Sequence, residues 1–184
     1  NSLKLNPFPN NTDEDEFGAI MMPKDFDAID HFGDNNQIKF YYVNSNKFDG
    51  EAKKLNRIKS NSTIYNISEA KMDTVLNKII SDKLLPKGIN THLQEGPVSF
   101  IEQFNKLLIT RNIATIDSDK KYQLNIYQVN YNLSKSDANL KVEPIFELNS
   151  NYSNMHPSFD SKSGWLYFSS DRPGGYGGMD LYRV

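Results

Sequence analysis

The residues that could carry chemistry in this chain are few and scattered. They are His31, His92 and His156, an acidic run Asp13-Glu14-Asp15-Glu16, a polar stretch Asp160-Ser161-Lys162-Ser163-Gly164, and a glycine-rich stretch Gly174-Gly175-Tyr176-Gly177-Gly178. A metal centre needs its nitrogen, sulfur or oxygen ligands at short, fixed spacing, and the histidines lack it. The Asp160 stretch resembles a calcium loop only in part. A lysine stands where an oxygen ligand is needed and the late glutamate is missing, so it reads as a turn. The glycine run lacks the Gly-Lys-Ser/Thr ending of a phosphate loop and leads into a strand pattern, which supplies no helix N-terminus for phosphate. It reads as a hairpin turn. No Gly-x-Ser-x-Gly nucleophile elbow occurs, and with no cysteine there is neither a thiolate ligand nor a thiol nucleophile. The expectation is a chain without catalytic residues, bound metal or cofactor, in which the acidic run is solvated loop.

The elements that these stretches punctuate are strands. From Met155 to Val184 the pattern reads as three short strands: His156 to Phe159, the apolar run from Trp165, and Leu181 to Val184. Gly164 can adopt the positive φ of the first turn, and Pro173-Gly174 suits the second. The same order occurs twice more. Third strands are marked by Ile64-Tyr65-Asn66-Ile67, Ile126-Tyr127-Gln128-Val129 and Leu181-Tyr182-Arg183-Val184. Middle strands fall at Ile38 to Ser45, Lys106 to Asn112 and Trp165 to Asp171. Opening strands fall at Glu16 to Ile20, Glu95 to Phe100 (with Pro97) and His156 to Phe159 (with Pro157). Internal repetition on this scale signals stacked units that cannot bury their apolar faces alone. Fourth strands are expected at Asn77 to Ile80 or Lys83 to Leu85, and at Val142 to Leu148, where Pro144 suits an edge. Ser68 to Leu76 also has helical spacing, compatible with a short helix. Between the strands, Met22 to Asn36, Asn46 to Asn61 and Ile113 to Lys121 read as polar surface loops.

His156-Pro157-Ser158-Phe159, the aromatic strand Trp165-Leu166-Tyr167-Phe168-Ser169-Ser170-Asp171, and Asp180-Leu181-Tyr182 resemble the TolB-like β-propeller repeat. The wording Asp171-Arg172-Pro173-Gly174-Gly175-Tyr176-Gly177-Gly178-Met179-Asp180 is similar to the version in cell-envelope proteins of Bacteroidota. The resemblance implies an all-β, partial β-propeller of about three four-stranded blades, a piece of a larger propeller. Its divisions would be an outer strand at 1–5 and blades at 6–91, 92–150 and 151–184, the last incomplete or closed by the N-terminal strand. Tyr65, Tyr127 and Tyr182 would occupy equivalent places, and Trp165 and Phe168 would lie in the core between blades. His156 would anchor a turn. The resemblance also implies a periplasmic or outer-membrane-associated location, the company of type IX secretion components, and a peptidoglycan link through an OmpA-like domain outside this chain. Asp73-Thr74-Val75 resembles an O-glycosylation tripeptide of such proteins.

Composition sets limits on function. The net charge of −2, without a lysine or arginine block, excludes a phosphate-neutralising surface and with it nucleic-acid binding. No apolar run approaches the roughly 20 residues of a membrane-spanning helix. Within those limits the resemblance implies a protein–protein interaction scaffold of the cell envelope, binding other envelope proteins through aromatic-tipped loops at Tyr131, Tyr152 and Tyr176, with Arg172 beside the last. The alternatives are an accessory propeller gating a hydrolase domain outside this chain, and a glycan-binding propeller.

Overall fold

The computed structural model describes residues 15–22, 36–45, 64–116, 122–130, 140–148 and 151–184. These form an all-β structure of three antiparallel sheets, with no α-helix among the described residues. Sheet one contains β1 (Glu16–Met21), β2 (Gln37–Ser45), β3 (Tyr65–Asp73) and β4 (Lys78–Leu84), in that spatial order. Sheet two contains β5 (Glu95–Ile101), β6 (Lys106–Ile116), β7 (Tyr122–Asn130) and β8 (Val142–Pro144). Sheet three contains β9 (Asn154–Asp160), β10 (Trp165–Ser170) and β11 (Asp180–Arg183). His31, Tyr131, the expected outer strand at 1–5, Asp13 and Glu14 lie outside the described residues.

Turn chemistry fixes the hairpins. Gly164 takes φ +74°, and the Asp160 carboxylate caps the same turn by accepting from Lys162 N and Ser163 Oγ. Asn105 and Asn77 reverse the chain between β5 and β6 and between β3 and β4, both at φ +49°, a region that asparagine tolerates better than most residues. The helical reading of Ser68 to Leu76 is overturned. Residues through Asp73 pair along the whole length of β2, from Ser45↔Tyr65 to Gln37↔Asp73, so tertiary pairing overrides a weak local periodicity. The strand β4 spans most of both expected fourth-strand segments, leaving Asn77 in the turn before it and Leu85 just past its end. Pro144 ends β8 on the edge of sheet two, and the chain then turns at Phe146–Leu148.

A shared register relates the sheets. Each opening strand has an irregularity against its neighbour: between Phe17 and Ile20, between Glu95 and Val98, and between Met155 and Ser158. Gly18 (φ +63°) and His156 (φ +54°) occupy these bulges in left-handed conformations. At Gly18 a Cβ would come within 2.9 Å of the Pro97 ring, so glycine also admits the close approach of β1 to β5. Late in each middle strand, or just after it, a polar side chain accepts from the backbone N–H just before the opening strand. Ser45 Oγ accepts from Asp15 N (3.0 Å), Asn112 Oδ1 from Gln94 N (2.6 Å), and Asp171 Oδ1 from Ser153 N (2.7 Å).

Aligning the sheets on this clasp makes Tyr42, Ile109 and Phe168 equivalent on the middle strands. Their third-strand partners are Ser68, Tyr127 and Tyr182. Tyr127 and Tyr182 therefore share one place in this register. Tyr65 does not: it opens β3 opposite Ser45, and Ser68 stands where the other sheets carry tyrosine.

Two apolar layers join the sheets. Tyr41 and Ile67 of sheet one pack against Val98, Phe100, Leu107, Ile109 and Val129 of sheet two, with the Tyr41 and Phe100 rings edge to face at 5.3 Å. The opposite face of sheet two, through Leu108 and Ile126, packs against Leu166, Phe168 and Phe159 of sheet three. Phe100 and Phe168 are thus core residues, and Pro157 is buried with them. Trp165 is not. It alternates to the other face of β10, is 40% exposed, and lies under the Arg183 guanidinium at 4.6 Å. The unbroken apolar run concealed a strand with one covered face and one open face.

Candidate functional site

The candidate site is the rim of sheet three, where the turn between β10 and β11 meets the segment before β9. Its foundation is Arg172. The guanidinium donates from Nε to Ser170 Oγ (3.0 Å) and from Nη2 to Leu148 O (3.0 Å) and Asn154 Oδ1, and it lies 4.9 Å from the Phe168 ring and 5.4 Å from the Tyr182 ring. Tyr182 Oη closes the arrangement by donating to Arg172 O at 2.7 Å. The sequence reading places Arg172 among contact residues. In the structure Arg172 is half-buried and its Nε and Nη2 donors are engaged within the fold, which braces the rim.

Above that foundation the turn is organised around Asp180. Its Oδ2 accepts from Gly177 N at 2.9 Å, and a Cβ on Gly175 would fall 2.0 Å from the same oxygen, so only glycine fits there. Gly174 holds φ +108° beside Pro173, as the turn chemistry anticipates. Tyr176 projects fully exposed from this braced loop, with Met179 also exposed. Tyr152 is exposed on the neighbouring segment, its carbonyl accepting from Gln123 Nε2 and Asn154 Nδ2. Phe146, which the sequence reading places in the fourth strand, instead follows its end at Pro144 and is 77% exposed in the turn that ends at Leu148. Three aromatic side chains thus stand on backbone segments tied to one arginine.

A second arginine does the same work between sheets one and two. Arg111 donates from Nε to Glu95 Oε1 (3.1 Å) and from Nη2 to Gly88 O (2.7 Å) and Ile89 O (2.6 Å), with its guanidinium 5.2 Å from the Tyr127 ring. In both sheets the arginine joins the preceding connection, the first residue of the opening strand and the repeated tyrosine. This accounts physically for the recurrence of Tyr127 and Tyr182. The two clamps differ in one respect: the opening residue is the acid Glu95 in sheet two and the neutral Asn154 in sheet three. Burial pushes the Glu95 carboxyl up to about 7, opposed by the Thr91 hydroxyl and by Arg111. Its Oε2 is buried without a hydrogen-bond partner among the described residues. Asn90 fastens the same connection to sheet one, accepting from Ile67 N (2.8 Å) and donating to Ile67 O (2.8 Å) and Leu85 O (3.0 Å). These clamp residues went unnoticed in the sequence. Only the recurring tyrosine pointed towards them.

The remaining sequence candidates are dispersed. His92 is exposed, and His156 anchors its bulge through its backbone, His156 N donating to Thr110 Oγ1 at 3.0 Å. Thr74 is exposed in the turn after β3, with its hydroxyl donating to Asn36 O. Pro97 is half-buried where β1 approaches, and Phe159 packs beside the Leu166–Phe168 layer. Among the described residues no group of three or more His, Asp or Glu side chains is placed to hold a metal ion, and no helix is long and apolar enough to cross a membrane. Comparison with protein-family models, curated proteins and solved structures finds no match to this chain.

Proposed function

We propose that the three sheets are consecutive blades of a β-propeller and that the chain serves as a protein–protein interaction module of the bacterial cell envelope, without catalysis of its own. The propeller reading is supported by the way each opening strand seats on the sheet before it, β5 on sheet one and β9 on sheet two, under one shared register. The observation that carries the interaction reading is the braced rim. Phe146, Tyr152 and Tyr176 stand exposed on backbone that Arg172 and Asp180 hold in place. Large aromatic side chains on pre-ordered backbone give contact area at low entropic cost, which is how protein interfaces obtain their strongest contacts. The envelope location rests on the resemblance of the Asp171 to Asp180 stretch.

The test is affinity capture from native envelope membranes with the intact chain and with a Tyr152→Ser/Tyr176→Ser variant. The expected result is a stable protein partner retained by the former and lost by the latter, with unchanged thermal unfolding. Capture of no partner, together with turnover of a peptide or glycan substrate by the purified chain, would replace this reading with an enzymatic one.

A further inference from the structure

The outward face of sheet three repeats, position for position, a face that elsewhere in the molecule is already occupied. Under the shared register Tyr41, Leu108 and Tyr167 are equivalent, as are Ile67, Ile126 and Leu181. In sheets one and two these residues are 0% exposed beneath the next sheet, whereas Tyr167 is 38% and Leu181 81% exposed. The polar positions match as well. Where sheet three docks on sheet two, Phe159 N donates to Ser99 Oγ (2.9 Å) and His156 N donates to Thr110 Oγ1 (3.0 Å). Ser99 and Thr110 pair beside Leu108 and Ile126, and their counterparts beside Tyr167 and Leu181 are Ser158 and Ser169. Neither of those hydroxyls has a hydrogen-bond partner among the described residues.

We propose that the face formed by Ser158, Tyr167, Ser169 and Leu181 is the docking site for a further bulged β-sheet from outside these 184 residues. That sheet's opening strand donates two backbone N–H groups to Ser158 and Ser169, while its middle strand lays aliphatic or aromatic side chains on Tyr167 and Leu181. A second copy of this chain is a poor occupant. Its β5 and β9 are already seated, and the matching face of sheet one, carrying Phe40, Tyr42 and Ala70, is itself buried. This surface is separate from the aromatic rim, and either assignment can fail without the other.

Residues 130–184 supply a probe. Val184 exchanges both backbone hydrogen bonds with Leu166 (2.9 and 3.0 Å), matching the pairing of Val129 with Leu107, so a second copy of 130–184 joined after Val184 continues the native register. With the first copy segmentally isotope-labelled, amide exchange in β10 and β11 should slow and the melting temperature should rise on joining the probe. Both gains should be lost with Tyr167→Lys/Leu181→Lys in the first copy and reduced with Ser158→Ala/Ser169→Ala. The exposed lysine substitutions should leave the unextended chain's own melting temperature unchanged. No slowing on extension, equal slowing in the lysine variant, or a dimer of the unextended chain that Leu181→Lys dissolves would each overturn the proposal.

Discussion

Glu95→Gln replaces the titrating member of the clamp between sheets one and two with a neutral group of the same shape. Burial holds the Glu95 carboxyl at about 7, above its ordinary 4.5. Between those values the folded chain keeps a proton that the unfolded chain has released. Stabilisation by the protonated acid is therefore complete below pH 4.5 and is lost as pH rises to about 7, the reverse of an ordinary salt-bridged glutamate. At 1.36 kcal/mol per unit, the whole change is about 3 kcal/mol. The assay is urea unfolding followed by far-ultraviolet circular dichroism at a series of pH values, with wild type and variant compared at each. Other titrating groups contribute alike to both, so their difference isolates Glu95. It should fall, to the disadvantage of the wild type, by about 3 kcal/mol between pH 4.5 and 7 and stay flat above. Superimposable pH profiles, or a wild-type advantage that grows with pH, would refute the reasoning.

Phe168→Ala should cost about 3–5 kcal/mol, because it empties a site that is 1% exposed between sheets two and three. Trp165→Ala, on the open face, should cost under about 1 kcal/mol in the same urea titration. Arg111→Met should destabilise more than Arg172→Met. It leaves Glu95 buried without its cation, whereas the partner of Arg172 is the neutral Asn154. Thermal unfolding of the two variants at pH 8 gives the order directly. Gly175→Ala should lower the melting temperature, and Asp180→Gly should relieve much of that loss in a double-mutant cycle, since the clash is with the Asp180 side chain, its Cβ at 2.8 Å included.

The strands were legible because their apolar runs are bounded by chemically explicit turns: Asp160 to Gly164, Pro173-Gly174 and the recurring aliphatic-Tyr pattern. Where the pattern alone set the register it erred. Ile64-Tyr65 and Ile126-Tyr127 look alike, but pairing is decided by long-range contacts such as Ser45 with Asp15 and Asn112 with Gln94, which link residues far apart in the chain. Trp165 was misread for a related reason. A middle strand covered on both faces and one covered on a single face can both read as continuous apolar runs, and only the neighbouring sheet distinguishes them. The clamps as such were not legible, although the recurring tyrosine and Arg172, read as a contact residue, belong to them. Arg111 and Glu95, like Arg172 and Asn154, are ordinary polar residues until the fold brings each arginine beneath a tyrosine.

The central claim is that the sheets stack in one direction, each opening strand and inner face seated on the sheet before. Methyl-to-aromatic nuclear Overhauser contacts across the sheet two–sheet three layer test it most directly. The methyl groups of Leu108 and Ile126 should show contacts with the Phe168 ring and none with the Trp165 ring. Contacts from those methyl groups to Trp165 would mean that sheet three is docked by its opposite face, contradicting the account.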